Sequence, residues 1–119
     1  MSFRFQRLDI WKESVAVSRE LFVLAEKLRK DNYYSLSDQL IRASLSITNN
    51  IAEGSGSATK KDFANFLNIA RRSIFECANI IIILNEYKLI NPEYQDRMLD
   101  SLKNLSAKIY YFRKSLISE

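Results

Sequence analysis

Residues 37–57 read SDQLIRASLSITNNIAEGSGS. Leu40, Ile47, Ile51 and Ala52 recur on one side of this run. Gln39, Arg42, Ser46, Asn50 and Glu53 recur on the other, three, four, four and three residues apart. Both rhythms are those of an α-helix, in which residues three and four apart share a face. Gly54 is expected to end the helix in the left-handed conformation that glycine adopts without steric cost. The polar face is unusual, because no lysine occurs between Leu36 and Glu53. A solvated helical face ordinarily fills with lysine and glutamate. Asparagine is a poor helix former, since its side chain competes for backbone groups.

The next segment repeats the rhythm. Asn65, Asn68, Arg72, Glu76 and Asn79 follow the same three, four, four, three spacing, opposite Phe63, Phe66, Leu67, Ala70, Ile74, Cys77, Ala78 and Ile81. Amides, guanidinium groups and carboxylates satisfy one another well where water is scarce, above all through fork-shaped arginine–carboxylate pairs. Arg42, Glu53, Arg72 and Glu76, with Gln39 and Asn50, are therefore expected to form a hydrogen-bonded network between helices or between subunits. A plain solvent face and a ligand site are the competing readings.

Two further helices flank this pair. The first is expected over about 9–30, with the Asp9 carboxylate accepting from first-turn amides. It carries one seam of Ile10, Ser14, Val17, Leu21, Leu24 and Leu28 and a second of Trp11, Val15, Ser18, Phe22 and Ala25. Adjacent seams imply more than one neighbour. The second helix, about 35–53, starts on a Ser35/Asp38 pair with capping-box-like spacing. The third, about 59–88, starts on Thr59 with Asp62 three residues on. Asn91 and Pro92 open the fourth, about 92–117, as cap and first helical residue. Its seam is Tyr94, Met98, Leu102, Leu105, Ile109, Phe112 and Leu116. Period-two alternation bounded by turn residues is missing. The expectation is one all-α domain over 1–119, an antiparallel up-down-up-down four-helix bundle with short connections.

Composition narrows the function. At 119 residues and 47% hydrophobic, the chain has the size and apolar content to bury a core, which argues against disorder. One cysteine fits a reducing compartment, so a cytoplasmic location is expected. The apolar run from Ile80 to Leu84 is too short to cross a membrane, and no membrane partner is expected. Histidine is missing, which removes the commonest general base and metal ligand. Cys77 falls on an apolar helical face and reads as core. The stretch GSGSATKKD resembles a phosphate loop but lacks its spacing and follows a helix. No enzyme, cofactor or metal is expected.

The net charge is +4, and residues 101–118 hold Lys103, Lys108, Arg113 and Lys114 with no carboxylate. Cations suit a helix C-terminus. With Lys60, Lys61 and the arm residues Arg4 and Arg7, they also form a candidate surface for RNA or an acidic partner, with Tyr110 and Tyr111 interleaved as possible stacking platforms.

The runs LSDQLIRASLSITNNIAEGSG and FANFLNIARRSIFE, with the opening FRFQRLDIWKESVAVSREL, resemble the four-helix-bundle family first associated with intervening sequences of bacterial large-subunit ribosomal RNA genes. By position, Gln39, Arg42, Asn50, Glu53 and Gly54 match its central motif, and Ser73 and Glu76 match the motif of the third helix. Arg72 departs from the glycine common among relatives, so charge pairing is expected to replace a close helix contact there. The resemblance implies a ring-like homo-oligomer, commonly a pentamer. It also implies kinship with the accessory protein of diversity-generating retroelements, which contacts reverse transcriptase and RNA. The functional expectation is a non-enzymatic scaffold with a basic surface for RNA or a nucleic-acid-handling protein. The alternative is a purely structural interaction module.

Overall fold

A computed structural model describes residues 2–118. After a short 3-10 turn, Arg4–Arg7, come four helices: α1 (Asp9–Lys30), α2 (Tyr34–Ser55), α3 (Lys60–Glu86) and α4 (Pro92–Ile117). Cross-helix contacts give their directions. Ser18 Oγ lies 2.5 Å from Ser44 Oγ, while Ser37 Oγ donates to the Ala25 carbonyl at 2.7 Å, so α2 runs against α1. Ser46 meets Ser73, and Gly54 meets Phe63 and Phe66, so α3 runs against α2. Arg71 reaches Ser106 and Arg113 reaches the Ala64 carbonyl, so α4 runs against α3. Glu13–Lys108 and Glu20–Arg97 ion pairs bridge the remaining α1–α4 seam, also antiparallel. The arrangement is a four-helix bundle in up-down-up-down order.

The apolar seams read from spacing form its core. In α1, Ile10, Val17, Leu21, Leu24 and Leu28 are buried, as are Met98, Leu102, Leu105 and Ile109 in α4. One continuous cluster draws on all four helices. Each fully buried leucine or isoleucine contributes about 1.5–3 kcal/mol by leaving water.

The helix ends separate local from tertiary signals. Thr59 caps α3 by accepting from the Asp62 amide at 3.1 Å, and Asn91 caps α4 by accepting from the Tyr94 amide at 2.8 Å. The other expected caps are corrected. Asp9 is the first helical residue and Leu8 precedes it without a side-chain cap, so Asp9 acts only through its charge near the helix dipole. Helix α2 begins at Tyr34, placing Ser35 inside the first turn. The left-handed residues closing helices are Asn32 (φ 70°) after α1 and Lys88 (φ 62°) after α3. Both make Schellman closures: the Tyr33 amide bonds Leu28 at 2.8 Å, and the Leu89 amide bonds Leu84 at 2.9 Å.

Gly54 does not close α2. The helix runs through it to Ser55, and no glycine has positive φ. It is needed because α3 is close. A Cβ there would lie 2.7 Å from Phe66 Cβ and 2.8 Å from Phe63 Cδ1. The Phe63 ring is itself held, edge-on to Phe112 at 5.6 Å between centroids and covered by the Arg4 guanidinium at 5.2 Å.

Alanine at an exposed mid-helix glycine would gain about 0.5–1 kcal/mol, whereas overpacking costs about 1–3 kcal/mol. Phe66 Cβ is fixed to the backbone of α3 and cannot swing aside, so the overpacking cost wins. Gly54→Ala is expected to lower the unfolding free energy in urea by about 1 kcal/mol or more. An unchanged or raised midpoint would show that α2 and α3 have room to part.

Candidate functional site

The polar stripes of α2 and α3 adjoin along one groove. With Ser46 level with Ser73, antiparallel register brings Arg42 beside Glu76 and Glu53 beside Phe66. The centre of the groove is fully hydrogen-bonded. Asn50 Nδ2 donates to the Ser46 carbonyl at 2.7 Å and to Ser46 Oγ at 3.1 Å, and Ser73 Oγ donates to the Ile69 carbonyl at 3.2 Å. A hydroxyl has one proton, so Ser46 is the donor across its 2.7 Å contact with Ser73. A directed chain thus runs from Asn50 through Ser46 and Ser73 to a backbone carbonyl, tying α2 to α3. Among the described residues, no buried side-chain polar atom lacks a partner.

The charged members stand apart from this chain. Arg42 Nη2 donates to Gln39 Oε1 at 2.5 Å, one turn back on the same helix. Arg42, Glu53, Arg72 and Glu76 are all exposed. Among the described residues, no ion pair or side-chain hydrogen bond joins any of the two arginines to the two glutamates. The geometry explains part of this. Arg42 and Glu53 are eleven residues apart on α2, about 16 Å along the axis at 1.5 Å per residue, beyond arginine's reach. Arg72 and Glu76 are four apart with the cation first, the weaker orientation for a helical pair. The protomer therefore leaves four charges available on one surface.

Of the six cations singled out from sequence, four gather at one end of the bundle and two stand apart. Lys60, Lys61, Arg113 and Lys114 collect at the end where α3 starts and α4 finishes, joined there by Arg4 and Arg7. Arg113 is half-buried and donates through Nε to the Ala64 carbonyl at 3.0 Å. Among the described residues, the carboxylates at this end are Asp9, Glu53 and Asp62. Lys108 is committed elsewhere, bonded to Glu13 at 2.8 Å, and that hydrogen bond raises its pKa. Lys103 lies midway along α4, on a different flank.

The second seam of α1 anticipated part of the surplus apolar surface, through Val15 and Phe22, but spacing missed Val23, Leu45 and the exposed residues of α3. Phe22, Val23 and Leu45 line a groove between α1 and α2, and Val23 is 67% exposed. Ile69, Phe75 and Ile82 are exposed on α3. The signal was present in the five consecutive apolar residues from Ile80 to Leu84, which must wrap around more than one face of a helix.

Cys77 is fully buried in the core, and burial first, then the Glu76 charge, lifts its thiol from 9.0 to about 12. The neutral thiol is thereby favoured in the folded state. Its contribution to stability is complete below pH 9.0 and is lost as pH climbs toward about 12, where the unfolded chain ionises first. Cys77→Ala should be less stable at neutral pH, with the gap to the parent narrowing above pH 9.0 by up to ~1.4 kcal/mol per pH unit. A constant gap in denaturation across that range would contradict a buried thiol.

Among the described residues there is no cluster of three metal-ligating side chains, and no helix is long and apolar enough to cross a membrane. No curated protein matches the chain. The fold is similar to the crystal structure of a protein of unknown function from the S23 ribosomal protein family of Bacteroides thetaiotaomicron, with a TM-score of 0.83 and 22% identity over 88% of this chain and 95% of that one. The description 23S rRNA-intervening sequence protein matches residues 6–111, which include both polar stripes, Gly54 and most of α4. With its bundle and its motif residues placed, the chain belongs to the 23S rRNA-intervening sequence protein family.

Proposed function

We propose that the protein is a non-catalytic scaffold that assembles with its own copies into a closed ring and presents a basic end to RNA or to a protein that handles nucleic acid. The observation that carries this reading is the α2–α3 surface. Arg42, Glu53, Arg72 and Glu76 stand exposed beside Ile69 and Leu45, and no lysine occurs between Leu36 and Glu53 or between Lys61 and Lys88. Subunit interfaces are enriched in arginine and depleted in lysine. Gln39, Asn50 and Ser73, already oriented by hydrogen bonds, would hold the register of the approaching surface.

A second, different surface fits the role of counterpart. The α1–α2 groove offers Val15, Phe22 and Val23, with Arg19 and Glu26 as its charged lining residues. Each sign of charge on the stripe then meets its opposite. Contacts between two unlike surfaces are heterologous and close into rings when the rotation permits; five subunits is the number that the family resemblance implies. The buried thiol fits a reducing compartment, so the cytoplasm is the proposed location.

The family's association with 23S rRNA genes supports a polyanionic partner, and the end bearing Arg4, Arg7, Lys60, Lys61, Arg113 and Lys114 is where phosphates would bind. Such binding reads charge, not sequence, and falls steeply with salt.

Light scattering is expected to give a mass near five times 13.9 kDa. The mass of one protomer would overturn the ring. Arg42→Ala should weaken assembly by about 1–3 kcal/mol, because it strands a carboxylate shielded from water. An unchanged mass on dilution and an unchanged Tm would reduce the stripe to plain surface. Retention on immobilised RNA should be strong at low salt, fade as salt rises, and drop when Lys60 and Lys61 become alanine. No retention at low salt, or retention indifferent to salt, would reject the phosphate-driven part.

A further inference from the structure

The ring reading uses the α1–α2 groove and the α2–α3 stripe and leaves one apolar surface unexplained. Between α3 and α4 runs a groove floored by Ile74, Ala78, Leu99 and Leu102. Phe75 stands at its edge, 64% exposed, and Ile82 continues the same flank seven residues on. A phenylalanine so far out of the core leaves most of its ring uncovered in the protomer. Large exposed apolar patches with a polar rim mark sites where another molecule docks.

The rim says what that molecule is. Its charged lining residues are Arg71 and Lys103, one on each wall, and no carboxylate lines the groove. The nearest on α4, Asp96 and Asp100, lie outside the lining. Arg71 is pre-oriented: Nε bonds Ser106 Oγ at 3.4 Å, and the guanidinium sits 5.1 Å from the Tyr110 ring centroid. Its remaining donors are left to receive a planar carboxylate. Lys103 is exposed and takes part in no ion pair among the described residues. A trough between two antiparallel helices has the shape that a third helix fills, by ridges into grooves.

We propose that the α3–α4 groove docks an amphipathic helix of another protein, with apolar residues on the Phe75 and Leu99 floor and carboxylates against Arg71 and Lys103. This is recognition of helix-in-groove type, with charge selecting the partner. It does not depend on the ring. The stretch from Leu99 to Ala107 is about 12 Å at 1.5 Å per residue, so the bound helix engages through two to three turns.

Fluorescence anisotropy with two labelled helical peptides tests it. Both carry leucine at i, i+3, i+4 and i+7; one is flanked by glutamate, the other by lysine. The glutamate peptide should bind the full-length protein and the lysine peptide should not. Lys103→Glu, an exposed change that spares the core, should weaken the glutamate peptide roughly tenfold and let the lysine peptide bind. Phe75→Ser should weaken the glutamate peptide while leaving the circular dichroism of the protein unchanged. Binding of neither peptide, equal binding of both, or indifference to Lys103→Glu would each overturn the proposal. So would a fall in oligomer mass on Phe75→Ser, which would assign the groove to contact between copies. Loss of the ring with retained peptide binding would sink the assembly reading and leave this one standing.

Discussion

The separation of α2 and α3 governs the rest of the molecule. Gly54 has no Cβ because Phe66 Cβ already occupies that space, and Ser46 and Ser73 meet directly. Small residues let the two backbones approach, and close approach makes a hydroxyl-to-hydroxyl bond possible. The same device recurs between α1 and α2, where Ser18 faces Ser44 and Ser37 bonds the Ala25 carbonyl. Three helices are thus joined by short polar contacts within an apolar core. Fixed hydrogen bonds, unlike apolar contacts, tolerate little sliding, so they also set the register in which everything else is read.

Register then decides what lies outside. Helix α3 has apolar residues on more than one face, but a four-helix bundle offers it only one interior. Ile74, Cys77 and Ile81 take the inside. Ile69, Phe75 and Ile82 are left on the outside, on two different flanks. The same logic separates the stripes into a bonded centre, Asn50 to Ser73, and a charged outer edge. What resembles one polar face on a helical wheel is two environments, one half-buried and hydrogen-bonded within the protomer and one open.

The bundle order likewise sorts the charge. Alternating directions make the helix dipoles largely cancel, so side chains set the potential at each end. One end gathers the arm, the start of α3 and the finish of α4, and is basic. The other holds Glu26, Asp31, Asp38, Glu86, Glu93 and Asp96 among its cations. Residues as distant in sequence as Arg4 and Lys114 share an end for that reason alone.

Much of this was legible before any coordinates. Helix positions follow from apolar spacing, and the caps at Thr59 and Asn91 follow from bonds that span three residues, so neighbours in the chain suffice to specify them. The closure at Lys88 was not legible, because lysine does not favour a left-handed conformation, whereas asparagine does and the signal at Asn32 was available in the chain. Gly54 was noticed for the wrong reason: its requirement comes from Phe66 on another helix, not from its own backbone. Arg42, Glu53, Arg72 and Glu76 fall on shared stripes of a wheel, which shows angle but hides the distance along the axis, and Arg42 and Glu53 are eleven residues apart and do not meet within one helix. Contacts within one turn belong to the chain; the meeting of serines, the crowding at Gly54 and the exposure of Phe75 depend on how far apart, and in what register, separate helices come to rest.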